Sequence, residues 1–135
     1  MKIMVCHDGS ESAQRAMEKT VALFKGERPE IIIITVVEEP LDATSVDEES
    51  FEKWRNKRDA DLQAAAKWVA GRGLAADAIL AVGDPRKMIL EAVELKKPDI
   101  LVVARRGIGL LERMVLGSVS AFLVRHAKCP ILVFQ

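Results

Sequence analysis

Five short apolar runs punctuate the chain: Ile3–Cys6, Ile31–Val37, Ala78–Val82, Ile100–Ala104 and Ile131–Phe134. Each is continuous rather than alternating, the pattern of strands buried on both faces of a parallel sheet. Between them lie four stretches with apolar residues at helical spacing. Strand–helix alternation of this kind predicts an α/β fold, an open five-stranded parallel sheet flanked by four helices with right-handed crossovers.

The first helix follows Asp8-Gly9-Ser10, with Ala13, Ala16, Met17, Val21 and Phe24 on one face. Gly26 is its expected stop, with Pro29 just beyond. The second crossover is polar and irregular from Glu38 to about Asp47. A charged helix then runs from about Glu49 to Ala70, burying Phe51, Trp54, Leu62, Ala65 and Val69, and ends at Gly71-Arg72-Gly73. In Gly83-Asp84-Pro85 a capping Asp precedes a Pro at the first helical position. Met88, Ile89, Ala92 and Val93 form the inner stripe of that third helix, closed by Pro98-Asp99. The fourth starts at Ser118, the expected N-cap, with Val119, Phe122 and Leu123 inward. No repeat, linker or low-complexity tract interrupts the pattern, so residues 1–135 read as one domain.

Composition narrows the class. Of 135 residues, half are hydrophobic and 30% charged, with zero formal net charge, which suits a folded soluble chain. Neutrality gives no global attraction to nucleic acid or anionic membrane. No apolar run approaches the roughly 18 residues of a membrane span. The run at Met1–Cys6 is too short for a signal-peptide core, so a cytoplasmic location is expected. Cys6 and Cys129 form neither a disulfide framework nor a metal-ligand spacing and read as structural.

Chemistry concentrates where the fourth apolar run ends. Residues 104–120 read as a strand end, a flexible basic loop and a helix N-terminus. Gly107, Gly109 and Gly117 lie there with Arg105, Arg106 and Arg113. Glycine lets backbone amides approach a ligand, and a helix N-terminus presents free N–H groups with partial positive charge. Together they suit a phosphate. From Ala104 to Lys128 there are five basic residues and one Glu, a net of +4 in a neutral protein. That excess favours an anionic ligand, although the arginines also fit a solvated loop face. Known phosphate signatures are missing. There is no G-x-x-x-x-G-K-[ST], and Gly107-Ile108-Gly109 fails the dinucleotide fingerprint because position 112 is Glu.

The spacing that does fit is G-x2-G-x9-G-[ST], realised as Gly107, nine residues, then Gly117-Ser118, with Ala104 in place of the first glycine. With Arg125-His126-Ala127-Lys128-Cys129-Pro130 and the apolar run after it, the chain resembles the universal stress protein family. The resemblance implies an adenine nucleotide α-hydrolase-like (Rossmann-like) sheet of strand order 3-2-1-4-5. Cys6, His7 and Asp8 would then face the Ala104–Ser118 loop across the crevice where strand order reverses. By carry-over, Asp8 matches an acidic adenine or ribose contact and Val36 an apolar position packing on the base. Gly107, Gly117, Ser118 and Val119 match phosphate-cradling positions, with Ala104, Arg105 and Ser120 beside them. Plainer roles stand next to these: Asp8 as a helix cap alone or with Ser10, Val36 as core, His7 as a hydrogen-bonded structural residue.

The expected function is that of a cytoplasmic, ATP-binding universal stress protein. It would act as a stress-response regulator and homodimerise through the C-terminal strand Ile131–Phe134, as the resemblance implies. Mg²⁺ would accompany the phosphates. No nucleophile–His–acid set or paired carboxylate points to an enzyme, while slow hydrolysis stays open because Asp8 could hold a phosphate-bound Mg²⁺ through water. The rivals are a dimeric interaction module of the same fold without nucleotide, which Ala104 favours, and an adenylating enzyme, whose S-G-G-x-D-S motif is missing.

Overall fold

The computed structural model describes residues 1–38, 47–105 and 117–135. Five strands and four helices alternate along them. They are β1 (Lys2–Cys6), α1 (Glu11–Phe24), β2 (Glu30–Val37), α2 (Glu48–Ala70), β3 (Ala76–Val82), α3 (Pro85–Lys96), β4 (Ile100–Ala104), α4 (Ser118–His126) and β5 (Ile131–Phe134). The sheet is parallel throughout, in the order β3-β2-β1-β4-β5, as the resemblance implies.

Each strand sends alternate side chains to opposite faces, and both faces are covered, which is why the runs are apolar throughout. Ile3, Val5, Ile31, Ile33 and Val102 pack with Ala16 and Met17 of α1 and Leu62, Ala65 and Val69 of α2. Met4, Ile32, Ile34, Leu101 and Val103 pack with Ile89, Ala92 and Val93 of α3 and Leu123 of α4. Helices α1 and α2 therefore share one face, and α3 and α4 the other.

The helix starts are chemically determined. Ser10 caps α1 by accepting the Ala13 amide at 3.1 Å. Asp47 accepts the Ser50 amide at 2.7 Å for α2, and Asp84 the Arg86 amide at 3.0 Å ahead of Pro85 for α3. These amide contacts hold both Asp carboxyls below their ordinary range.

Several expectations are corrected. Gly26 is not the stop of α1. A 3₁₀ turn spans Lys25–Glu27, and Arg28, at φ 49°, takes the left-handed position before Pro29. That extra turn brings Glu30 to Met1, whose carbonyl accepts its amide at 2.9 Å. Strand β3 begins at Ala76, two residues early, because an edge strand tolerates Asp77, which reaches Lys96 at 3.6 Å. Trp54 is not buried but 50% exposed, and Phe51 is half-buried. The 23 residues of α2 span about 34 Å, against about 26 Å for the eight of β2. The helix overhangs the sheet, and its first half has less to cover. The segment expected to be irregular before α2 falls mostly on residues 39–46, outside the described residues.

Candidate ligand crevice

The β1–β4 pairing sets Val5 against Val102, so the chain leaves both strands side by side at the carboxyl end of the sheet. A crevice of about 250 Å³ opens there. Cys6, His7, Asp8 and Ser10 line it from the β1–α1 turn. Ile34, Val36 and Glu38 come from the end of β2, and Val103 and Ala104 from the end of β4. Residues Gly117 to Ser120 enter from the start of α4. Nine of the eleven candidate residues thus meet in one place.

The other two do not. Gly107 lies outside the described residues, as do Arg106, Gly109 and Arg113. Arg105 is described but does not line the crevice. Its amide donates to the Phe134 carbonyl at 2.7 Å, extending the β4–β5 ladder, and its Nη2 is buried with no hydrogen-bond partner among the described residues.

The β1–α1 turn is tied at nearly every polar atom. His7, 5% exposed, donates its amide to the Ile34 carbonyl at 2.9 Å and accepts the Thr35 hydroxyl on its own carbonyl at 2.8 Å. The Gly9 amide donates to His7 Nδ1 at 3.0 Å. An amide can only donate, so the ring proton sits on Nε2 and is given to Gln14 Oε1, also 3.0 Å away. With both ring nitrogens engaged, His7 shapes the turn and holds no free base. Asp8 does not cap α1, since Ser10 does. Asp8 instead accepts the Ser10 amide on Oδ1 at 3.0 Å, bracing the residue that caps.

At the opposite wall, Gly117 and not Ser118 is the N-cap of α4, at φ −57° and ψ 158°. Its carbonyl accepts the Ala121 amide at 2.9 Å, which makes Ser118 the first helical residue. Among the described residues no side chain caps this helix, so its first-turn amides lack the internal partner that Ser10 and Asp84 give α1 and α3. Ser118 is exposed, whereas Ser120 is 8% exposed.

Glu38, Pro85 and Ile89 also line the crevice and were not foreseen. Glu38 carried a readable signal: it lies two residues beyond Val36, so the strand alternation returns it to the same side. Pro85 and Ile89 arrive only because α3 crosses back over the sheet, which no local pattern shows.

Cys6 lies at the base of this region. Burial first, then the charges of Asp8 and Cys129, push its thiol up from 9.0 to about 12. Thiolate reactivity at pH 8 should therefore be about a thousandfold below that of an unperturbed cysteine, which stopped-flow labelling of native against denatured protein will measure. Because the folded value is raised, the linked stability is fully present below pH 9 and is lost as pH rises toward 12. Denaturant titrations of wild type and Cys6→Ala across that window should converge if Cys6 is the cause. Burial raises the Cys129 thiol as well. Among the described residues no group of three or more His, Cys, Asp or Glu could hold a metal ion, and no helix is long and apolar enough to cross a membrane.

A family model described as the universal stress protein family matches residues 1–135. Universal stress protein YxiE of Bacillus subtilis is 32% identical over 145 residues, covering 99% of this chain and 98% of that protein. The crystal structure of an Arabidopsis thaliana universal stress protein family member with AMP bound aligns at TM-score 0.70 and 26% identity, covering 99% of this chain and 90% of the other. A universal stress protein in complex with cAMP aligns at TM-score 0.75 and 25% identity, covering 100% and 97%.

Proposed function

Because the chain belongs to the universal stress protein family, we propose that it binds ATP or a related adenine nucleotide in the β1–β4 crevice and acts as a cytoplasmic, ligand-dependent stress regulator. One observation carries the reading: nine candidate residues from four separate stretches of the chain line one crevice. Val36 offers an apolar wall for a base, Asp8 a carboxylate for the ribose or base, and the uncapped start of α4 its amides for phosphate. The AMP and cAMP held by two structural relatives support an adenine nucleotide. Mg²⁺ would arrive with the phosphates, since the protein side offers no metal cluster among its described residues. The protein is a binding domain over 1–135 rather than an enzyme, and it pairs with a second copy through β5.

Calorimetric titration of nucleotide-stripped protein should give binding of Mg²⁺-ATP in the micromolar-to-millimolar range. No heat and no thermal shift at millimolar ATP would reject the reading in favour of an interaction module. Ala104, the residue that favours that rival, bears on the choice directly. It is paired with Phe134 in β4 and is not among the positive-φ residues Arg28 and Lys97, so its methyl causes no backbone strain. Ala104→Gly should leave nucleotide affinity within about twofold while lowering stability by roughly 0.5–1 kcal/mol, the cost of glycine in a strand. A clear loss of affinity would assign Ala104 a direct part in binding.

A further inference from the structure

We propose that Arg58, which touches the β1–α1 turn at Gly9 without lining the crevice, is a positioning residue for the ligand site. Its guanidinium lies on the backbone of Gly9 and so fixes the turn that presents Asp8. This rests on the nucleotide reading only for its effect on affinity, not for its effect on the turn.

The geometry is specific. A Cβ built on Gly9 would fall 2.7 Å from Arg58 Cζ and 2.9 Å from Nη2, with Nη1 nearer still. No side chain fits between the two, so the flat guanidinium is seated directly on the glycine. Gly9 is at φ +83°, a conformation glycine reaches without strain. The same residue therefore supplies the bend of the turn and the seat for Arg58.

Arg58 also lies one helical turn before Leu62, on the inward side of α2, and its side chain is only 12% exposed. Its ion pair among the described residues is a 3.9 Å contact to Asp61, itself 43% exposed. The Trp54 ring centroid is 5.3 Å from Cζ. Removing a guanidinium from water is costly, and the contacts to Asp61, Trp54 and Gly9 hold it where it lies. A loop pinned by that charge and plane is what the arrangement yields. The turn it pins is the one whose internal bonds, Gly9 amide to His7 and Ser10 amide to Asp8, set the direction of the Asp8 carboxyl.

Two variants separate the ingredients: Arg58→Met removes charge and plane but keeps length, and Arg58→Lys keeps charge without the plane. In ligand-free protein, amide hydrogen exchange at Gly9 and Ser10 should rise about tenfold or more in Arg58→Met while Ile32 and Ile33 in β2 are unchanged. Arg58→Lys should fall between the two. Affinities for adenosine, AMP and ATP should drop equally in Arg58→Met, about tenfold each, since Asp8 acts on the nucleoside.

Unchanged exchange at Gly9 and Ser10 overturns the proposal. So does an affinity loss that grows from adenosine to ATP, which would make Arg58 a direct phosphate contact. Wild-type protein that binds none of the three ligands rejects the nucleotide reading instead, and the exchange measurement still decides whether Arg58 holds the turn.

Discussion

Gly117→Val is expected to abolish nucleotide binding, by a hundredfold or more, while circular dichroism and thermal midpoint stay near wild type. The fold should accept the change because Gly117 sits at φ −57° and ψ 158°, ordinary extended backbone, and a Cβ there meets nothing within 4 Å among the described residues. The glycine is thus not needed for the conformation of the chain. The space in front of it is crevice, bordered by Ser118 and Val119, and an isopropyl group would stand between an anion and the first amides of α4. A hundredfold loss corresponds to about 2.7 kcal/mol, the scale of two or three charge-assisted hydrogen bonds. Calorimetry beside a melting curve is the measurement. A variant that binds normally would show that the start of α4 is not where phosphate sits.

The second large effect is on assembly. Val133→Pro is expected to convert a dimer to a monomer on light scattering with the sheet intact. In the β4–β5 ladder the Leu101 amide donates to the Pro130 carbonyl and the Arg105 amide to the Phe134 carbonyl. Main-chain groups of the even-numbered residues thus face β4, and parallel pairing turns those of Ile131 and Val133 to the open edge. Proline at 133 removes an outward donor without touching the ladder, a placement that an edge strand tolerates. Lysine at Leu132 or Phe134 is the cruder test, because it puts a charge where an apolar side chain packs against the first core cluster, whereas proline at 133 keeps an apolar group against the second. Wild-type protein that is monomeric at high micromolar concentration, or a proline variant that still dimerises, would refute edge pairing.

What could be read beforehand follows the physics. Strands buried on both faces announce themselves, because every residue of Ile31–Val37 must be compatible with a core. Asp84-Pro85 was legible because a cap is satisfied within three residues, whereas Asp8 and Ser10 stand too close together for residue type alone to tell which of them caps α1. Trp54 was misread because its exposure depends on where α2 outruns the sheet, a property of two lengths and not of either segment. Ser118 looked like a cap by residue type, yet the helix begins one residue earlier, and the change leaves its hydroxyl outside the capping role. The strand order could not be derived from periodicity at all. It came from the family likeness, and with it the meeting of Asp8 with Gly117.

That order also sets a timetable. The first strand of the chain is the centre of the sheet. It can take β2 as partner once about forty residues exist, but its other edge waits for β4, as the Lys2 amide waits for Asp99, 97 residues on. Until then a nascent chain carries a bare apolar edge at Ile3–Val5, the kind of surface that invites misassembly. The crevice is later still, because its far wall is α4. A nucleotide held as proposed would engage only a chain synthesised past residue 120, so its occupancy would report that the central sheet has closed.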